Sequence, residues 1–435
     1  GGTVISANPP ANTFTFRDLT VTGGGSGGPD GGAFQMEEAA HTLVLVDVAV
    51  NGNVGASNGG AIELIDGSSL DMTGGSISGN TATGAGGGID ALDARVTLRN
   101  VTVSGNTADE GGAIHVAGGV LDISGSVIEG NEATTDFGGI RGTSVDAASL
   151  FETTLRNNTA AAGASGGGSL DGGALTVRDT LVDGNTARAV GGLGLSGDQV
   201  AVQDSAVINN TATTDNAGGM FVDPLASVPV SLVNVTISGN RAGEHGGGLF
   251  ITGGPFVGTN LTVSDNSADY EAASTPGDGG GIYSAANSNT IRNSIVFGNH
   301  DASPGAEGPD CFGEVASGGS NIIGTLTGCT MTPQATDKIG VDPLLLPLAD
   351  NGGDTPTYAL QQGSPAIDAA DPAAAPPTDQ RGAPRTAPDI GAYELAFCKK
   401  VLVNEVGTEG NDTLTGGDEA TGVLALGGND VITTG

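Results

Sequence analysis

A short phrase, Ser-Gly-Asn-Thr-Ala or a close variant, returns along the chain and is followed by a pair of glycines. Its asparagines are Asn80, Asn106, Asn131, Asn158, Asn185, Asn210, Asn240 and Asn266, spaced by 26, 25, 27, 27, 25, 30 and 26 residues. Asn53 precedes the series by 27, and Asn299 follows it by 33 after an insertion rich in Ala, Ser, Asp and Gly. The glycine pairs keep step, among them Gly59–Gly60, Gly87–Gly88, Gly111–Gly112, Gly138–Gly139, Gly218–Gly219 and Gly247–Gly248. A fixed period of about 27 residues means one supersecondary unit copied and stacked on itself, since a single unit cannot bury its own apolar face.

Within one period the apolar residues alternate. Val96 and Leu98 share a face, Val101 and Val103 resume after Asn100, then come the pairs Ile114/Val116 and Leu121/Ile123. These are short β-branched runs closed by Gly, Asn or Ser, and they lack helical periodicity. Three short strands in about 27 residues, closing on themselves, predict an all-β chain: a right-handed parallel β-helix of about ten coils over residues 14–300. At ~4.8 Å per coil the rod would be roughly 50 Å long. Composition agrees, because 78 Gly, 11 Phe, 4 Tyr and no Trp among 435 residues suit a narrow interior. The glycine pairs and the asparagines are expected at corners that demand positive φ. The eight asparagines are expected to stack as a hydrogen-bonded ladder, a structural and not a catalytic role.

Charge narrows the partners. Against 49 acidic residues stand 14 basic ones, a net charge of −35, and the only lysines are Lys338, Lys399 and Lys400. Nucleic acid and anionic bilayers would be repelled, and cations attracted. The longest apolar stretches, around Leu43–Val50 and Leu344–Ala349, are too short for a membrane helix, so no membrane insertion is expected. The opening at Gly1, without Met or a leader, suggests a processed product or a fragment. Cys311 and Cys329 lie 18 apart in a Gly-rich loop. They read either as a disulfide staple formed in an oxidising compartment or as free thiols, with Cys398 left over.

Beyond residue 300 the repeat fades. We divide the chain into a β-helix (1–305), a stapled loop with the last coil (306–336), a distinct segment (337–397) and a tail (398–435). Residues 337–397 carry DNGGDTPTYALQQGSPAIDA (Asp350–Ala369), TDQRG (Thr378–Gly382) and DIGAYE (Asp389–Glu394) in that order. This segment resembles the choice-of-anchor Q segment of bacterial secreted β-helix proteins, and the resemblance implies a secreted, cell-surface location without implying a reaction. In the tail, Gly407-Thr-Glu-Gly-Asn-Asp-Thr-Leu-Thr415 fits the nonapeptide G-x-x-G-N-D-x-L-x, and Gly428-Asn-Asp-Val-Ile432 repeats its second half. It resembles the start of hemolysin-type (RTX) calcium-binding repeats, which implies calcium at Asp412 and Asp430 with Asn411 and Asn429. Asp412 and Asp430 are 18 apart, one full turn of such a roll, so they and the pair Leu414/Ile432 should stack, the latter inward. The intermediate nonapeptide is degenerate, with Thr421 and Ala425 where Asp and Gly belong.

A second set of carboxylates sits at or just before the glycine pairs: Asp30, Glu110, Asp136, Asp171, Asp215, Glu244 and Asp278. In strict register they would form a like-charged column, relieved by salt, by outward loops or by calcium; Asp136, Asp215 and Asp278 are the candidate ligands. Catalysis fits less well. A lyase needs calcium-bridged carboxylates and a cationic group, a hydrolase needs two carboxylates in a sugar groove, and aromatic platforms look scarce, with Tyr270, Tyr283 and scattered Phe. His41, His115, His245 and His300 show no metal spacing and read as exposed turn residues. The expected function is therefore an extracellular structural or adhesive surface protein presenting an acidic rod. It would contact cell-surface or matrix components, or copies of itself head to tail, as a filament or layer. The alternative is a polysaccharide lyase or glycoside hydrolase.

Overall fold

The computed structural model describes residues 5–7, 11–25, 31–37, 40–225, 228–270, 277–286, 288–303, 308–395, 397–398, 401–408, 410–416, 422–424 and 430–434. Their regular structure is entirely β. Residues from Ile5 to Ile339 wind into a right-handed parallel β-helix of about eleven turns. One coil shows the plan: strand Ile114–Ala117, a turn at Gly118-Gly119, strand Val120–Ser124, a corner at Gly125, strand Val127–Glu129, then Asn131 and strand Glu132–Asp136. Every strand of that coil pairs in parallel with its equivalents, Ile114 lying between Ile89 and Ile140, and Leu121 between Val96 and Ala148.

Because each coil repeats the last, each position of the period becomes a line along the rod. Ile77, Val103, Ile128, Leu155, Val182, Val207, Ile237, Val263, Val296 and Ile323 form one such line, and all of them are buried. β-Branched and leucine side chains stacked on their own kind fill most of the interior, with Phe34 and Phe256 also fully buried in it.

A second line is polar. Asn53, Asn80, Asn106, Asn131, Asn158, Asn185, Asn210, Asn240, Asn266 and Asn299 are buried, and each Nδ2 donates to the next Oδ1 at 2.9–3.0 Å. That Oδ1 also accepts the preceding asparagine's backbone N–H, while Nδ2 donates its second hydrogen to a carbonyl of the previous coil, as Asn158 does to Ile128. The amide dipoles thus align head to tail and polarise one another. The run ends on the buried Asp310, whose Oδ1 accepts from the N and Nδ2 of Asn299 at 3.2 and 3.0 Å. An acceptor-only carboxylate suits the donor end of such a chain.

Two details differ from expectation. The ladder asparagines do not have positive φ; the residue just before each does, for example Gly79, Gly105, Gly130 and Asn157. The asparagine keeps an ordinary backbone because its own N–H must meet the next coil. The second glycine of a pair is needed for space instead: a Cβ on Gly60 or Gly112 would collide with the carbonyl oxygen of Gly87 or Gly138 in the next coil.

The C-terminal end carries the Cys311–Cys329 disulfide, Cα atoms 5.4 Å apart, where strand Cys311–Glu314 pairs with Cys329–Thr330. Residues 341–395 then fold back along the flank of the rod instead of extending it.

The ladder predicts a specific weakness. Asn158→Ala leaves two donors of Asn131 without their acceptor in a dry interior, and should lower unfolding stability by roughly 2–4 kcal/mol. Chemical denaturation of the variant beside wild type measures it.

Candidate functional site

The corner between the second and third strands of each coil is a further line, held at positive φ: Asn100, Gly125, Glu152, Asp179, Asp204, Asn234, Asn260 and Asn293. Asn and Asp accept that conformation more readily than other side chains. Three of these asparagines dock the returning segment. Asn234 Nδ2 donates to Thr378 O at 2.9 Å, and Asn260 Nδ2 to the carbonyls of Asp389 and Gly391 at 3.0 Å. Asn293 exchanges two bonds with the backbone of Asp371. Beside them Thr236 donates to Gln380 Oε1, and Ser238 and Tyr358 share a hydrogen bond, both at 2.6 Å. Ile295 and Ile322 of the rod join Leu360, Ala366, Ile390, Tyr393 and Leu395 in a second apolar core. The sequence holds this signal: Asn100, Asn234, Asn260 and Asn293 each precede a ladder asparagine by 6 residues.

The phrases TDQRG and DIGAYE meet in a buried charge network. Arg381 pairs with Asp379 at 2.7 Å, lies 3.7 Å over the Tyr393 ring and donates to Glu394 O. Arg385 pairs with Glu394 at 3.0 Å and donates to the carbonyls of Asp389 and Gly391. Asp389 accepts the N–H groups of Asp368 and Leu395. Three carboxyl groups, Asp379, Asp389 and Glu394, face two guanidinium groups, so the network is short of one positive charge. It closes by holding a proton: burial, with Asp389 adding to it, pushes Glu394 up to about 8, and burial pushes Asp389 up to about 6.

Where the docked segment ends, an open cleft of about 500 Å3 begins. Glu152, Asp179 and Asp204 line it from the rod, and Asp354, Gln380, Thr408 and Gly410 from the returning chain. Burial raises Asp179 to about 6, Asp204 and Asp354 adding to it and Arg178 opposing. Asp204 and Asp354 are raised as well, first by burial. A carboxyl that titrates near pH 6 among other carboxylates can give or take a proton at physiological pH.

The other face of the rod holds the line that follows each glycine pair. It runs Gln35, Glu63, Asp90, His115, Arg141, Ser169, Gly194, Phe221, Phe250, Tyr283, Phe312. Its last four rings are stacked, with centroids 6.0, 4.9 and 5.3 Å apart and planes within 18°. The aromatics that looked scattered in the sequence are aligned by the register. The histidines differ too: His41 is fully buried, His115 lies on a strand 2.5 Å from Asp90, and His245 stacks on Tyr283.

The carboxylates near the glycine pairs do not stand in one column. Asp171 lies within the long strand Gly168–Arg178, away from the glycine-pair corner. Glu110 and Asp136 are register partners, but Glu110 pairs with Arg141 and Asp136 accepts the N–H of Ala164 at 2.7 Å. Asp215 is 3.4 Å from Arg188, and Asp278 is 3.9 Å from His245. Arginines and backbone donors relieve the repulsion. Among the described residues no three His, Cys, Asp or Glu side chains are grouped to hold a metal.

In the tail, strand Thr413–Gly416 pairs in parallel with Val431–Thr434, so Asp412 stacks over Asp430 and Leu414 over Ile432. Ile432 is not inward; it is 50% exposed. Asp412 accepts from the N and Oγ1 of Thr408, and Asp430 accepts the N–H of Asp412. Asn411 lies beside Asp412, exposed, while Asn429, like Asp30, falls outside the described residues. Among the described side chains of the tail, Asp412 and Asp430 are the two carboxylates available toward the six to eight oxygens that calcium takes.

Comparison with known families decides the fold family. The model described as right handed beta helix region matches residues 33–212 and 93–268, together more than half of the chain. The chain belongs to that family. No curated protein and no solved structure matches it. Right-handed β-helices serve both enzymes and non-enzymes, so the family leaves the site to be argued from its own chemistry.

The flank network of this β-helix sets a pH dependence. The folded state binds more protons than the unfolded chain between the usual carboxylate range and pH 8, so stability is full at the low end of that window. It is lost as pH rises through about 6 and 8. Melting temperature should fall from pH 5 to 9, and Glu394→Gln, which needs no proton, should flatten the upper part of that slope.

Proposed function

We propose that the chain is an extracellular structural or adhesive surface protein that presents a stiff acidic rod. The observation that carries this reading is how the C-terminal phrases are used. Asp379, Arg381, Arg385, Asp389 and Glu394, the charged groups of the segment that resembles choice-of-anchor Q, all bond the segment to itself and to the rod. Arg381 also lines the neighbouring cleft, and its guanidinium donates to Asp379, to Asn351 O and to Glu394 O. The segment thereby acts as a rigid base for the solenoid, as an attachment element requires. The Cys311–Cys329 bridge supports an oxidising, extracellular location. Among the described residues no helix is long and apolar enough to cross a membrane.

Negative-stain electron microscopy and cell fractionation test this proposal. The protein should be found on the cell surface as rods, alone or joined end to end into filaments. A cytosolic location would overturn it.

One observation favours a second reading, a glycoside hydrolase: Asp179, titrating near 6 beside Glu152, Asp204 and Asp354 in an open cleft. The structural role of Glu152, Asp179 and Asp204, as left-handed corners of the rod, accounts for those three carboxylates without chemistry. Purified protein should release no reducing or unsaturated ends from pectate, alginate or neutral glycans between pH 5 and 8. Release that disappears in Asp179→Asn would replace the surface-rod reading with the hydrolase.

A further inference from the structure

The stacked rings on the outer face stop abruptly. Phe312, Tyr283, Phe250 and Phe221 lie ring over ring, and the next two positions of the line are Gly194 and Ser169. Phe221 has Phe250 against one face and a residue without a side chain against the other. Beyond Ser169 the line resumes with Arg141, whose guanidinium lies 5.1 Å over the Phe137 ring. Three register steps at ~4.8 Å separate Arg141 from Phe221, and two of the rows between them carry almost no side chain. The result is a slot of about 410 Å3, within the range of small-molecule sites. Gly194 does not have positive φ, so its backbone does not demand glycine. A Cβ there would meet first the Ser169 Oγ, at 3.1 Å, so that hydroxyl lies over the vacant row.

We propose that this slot binds a pyranose ring that carries no carboxylate, stacked on the open face of Phe221 in the row of Gly194. The chemistry of the walls selects such a ring. An aromatic face carries negative charge density and attracts the polarised C–H groups on the flat side of a sugar. The sugar's hydroxyls radiate from the ring edge, and the polar groups lie at the slot's edge: Ser169, Asn216, Asp215 and Glu244. An aromatic side chain would use the ring face and offer no hydroxyls to those edge groups. A uronate would bring its own charge against Glu244 on a chain of net charge −35. The inference deepens the adhesive reading by naming the class of surface glycan. It rests on that reading only for the biological source of the sugar.

Isothermal titration of the purified chain with cellohexaose, maltoheptaose and chitohexaose, and with pentagalacturonate and N-acetylphenylalanine amide, tests the slot. At least one neutral oligosaccharide should bind, and pentagalacturonate and the amide should not. Gly194→Phe extends the stack by one ring and fills the slot; Phe221→Ala removes the platform. Each should weaken neutral-sugar binding at least tenfold, Gly194→Phe without a fall in melting temperature. Should one variant fold poorly, the other carries the test. Binding that survives Gly194→Phe, a preference for the uronate or the amide, or no binding by any neutral sugar would overturn the proposal. These titrations use the isolated chain, so absence from the cell surface would sink the surface-rod reading and leave the slot standing.

Discussion

Backbone hydrogen bonding between successive coils, kept in register by the buried asparagine ladder, is the constraint from which the other features follow. A parallel strand can slip against its neighbour by two residues and still bury the same face. The ladder removes that freedom, because each asparagine needs the next coil's Oδ1 for both its backbone N–H and its side chain. A slipped coil would strand three polar groups in a dry interior. Coil length is then free to vary at the surface. From Asn266 to Asn299 the separation grows to 33, and the ladder bond is unchanged at 2.9 Å.

Fixed register turns one-dimensional sequence into lines of chemistry. The same device that stacks isoleucine on valine inside stacks phenylalanine on tyrosine outside, and sets Asn234, Asn260 and Asn293 one above another on the flank. It also manages the acidic surface. Asp71 meets Arg99, Glu129 meets Arg156 and Glu110 meets Arg141 across adjacent coils. Such exposed pairs contribute little stability each, but they spread the few arginines where carboxylates would otherwise crowd.

The flank segment follows different rules. It has almost no regular structure, and its shape is set by buried arginines that satisfy carbonyls and carboxylates lacking a sheet partner. Replacing such a network by apolar groups could be neutral or stabilising, so its value is in fixing one arrangement of an irregular chain. The excess carboxyl, resolved by a held proton at Glu394, is the cost of that arrangement in a strongly acidic protein.

The sequence alone determined the solenoid, its period, the asparagine ladder line and the absence of helical pattern, because all of these are local and repeat. The period of about 27 and the alternation of Val96, Leu98, Val101 and Val103 carry the coil plan directly. Only the tertiary structure decided what depends on register across coils or on contacts 120–151 residues apart. Tyr358 reaching Ser238 and Arg385 reaching Asn234 place the final segment on the flank; the six-residue spacing marks the corner asparagines but does not say what docks on them. The carboxylates before the glycine pairs looked like one column because they share a place in the phrase. Loops of unequal length and arginines from neighbouring coils dispersed them. The four rings after the glycine pairs looked scattered because insertions stretch their separations to 29 and 33, and the sheet register absorbed those insertions and stacked them.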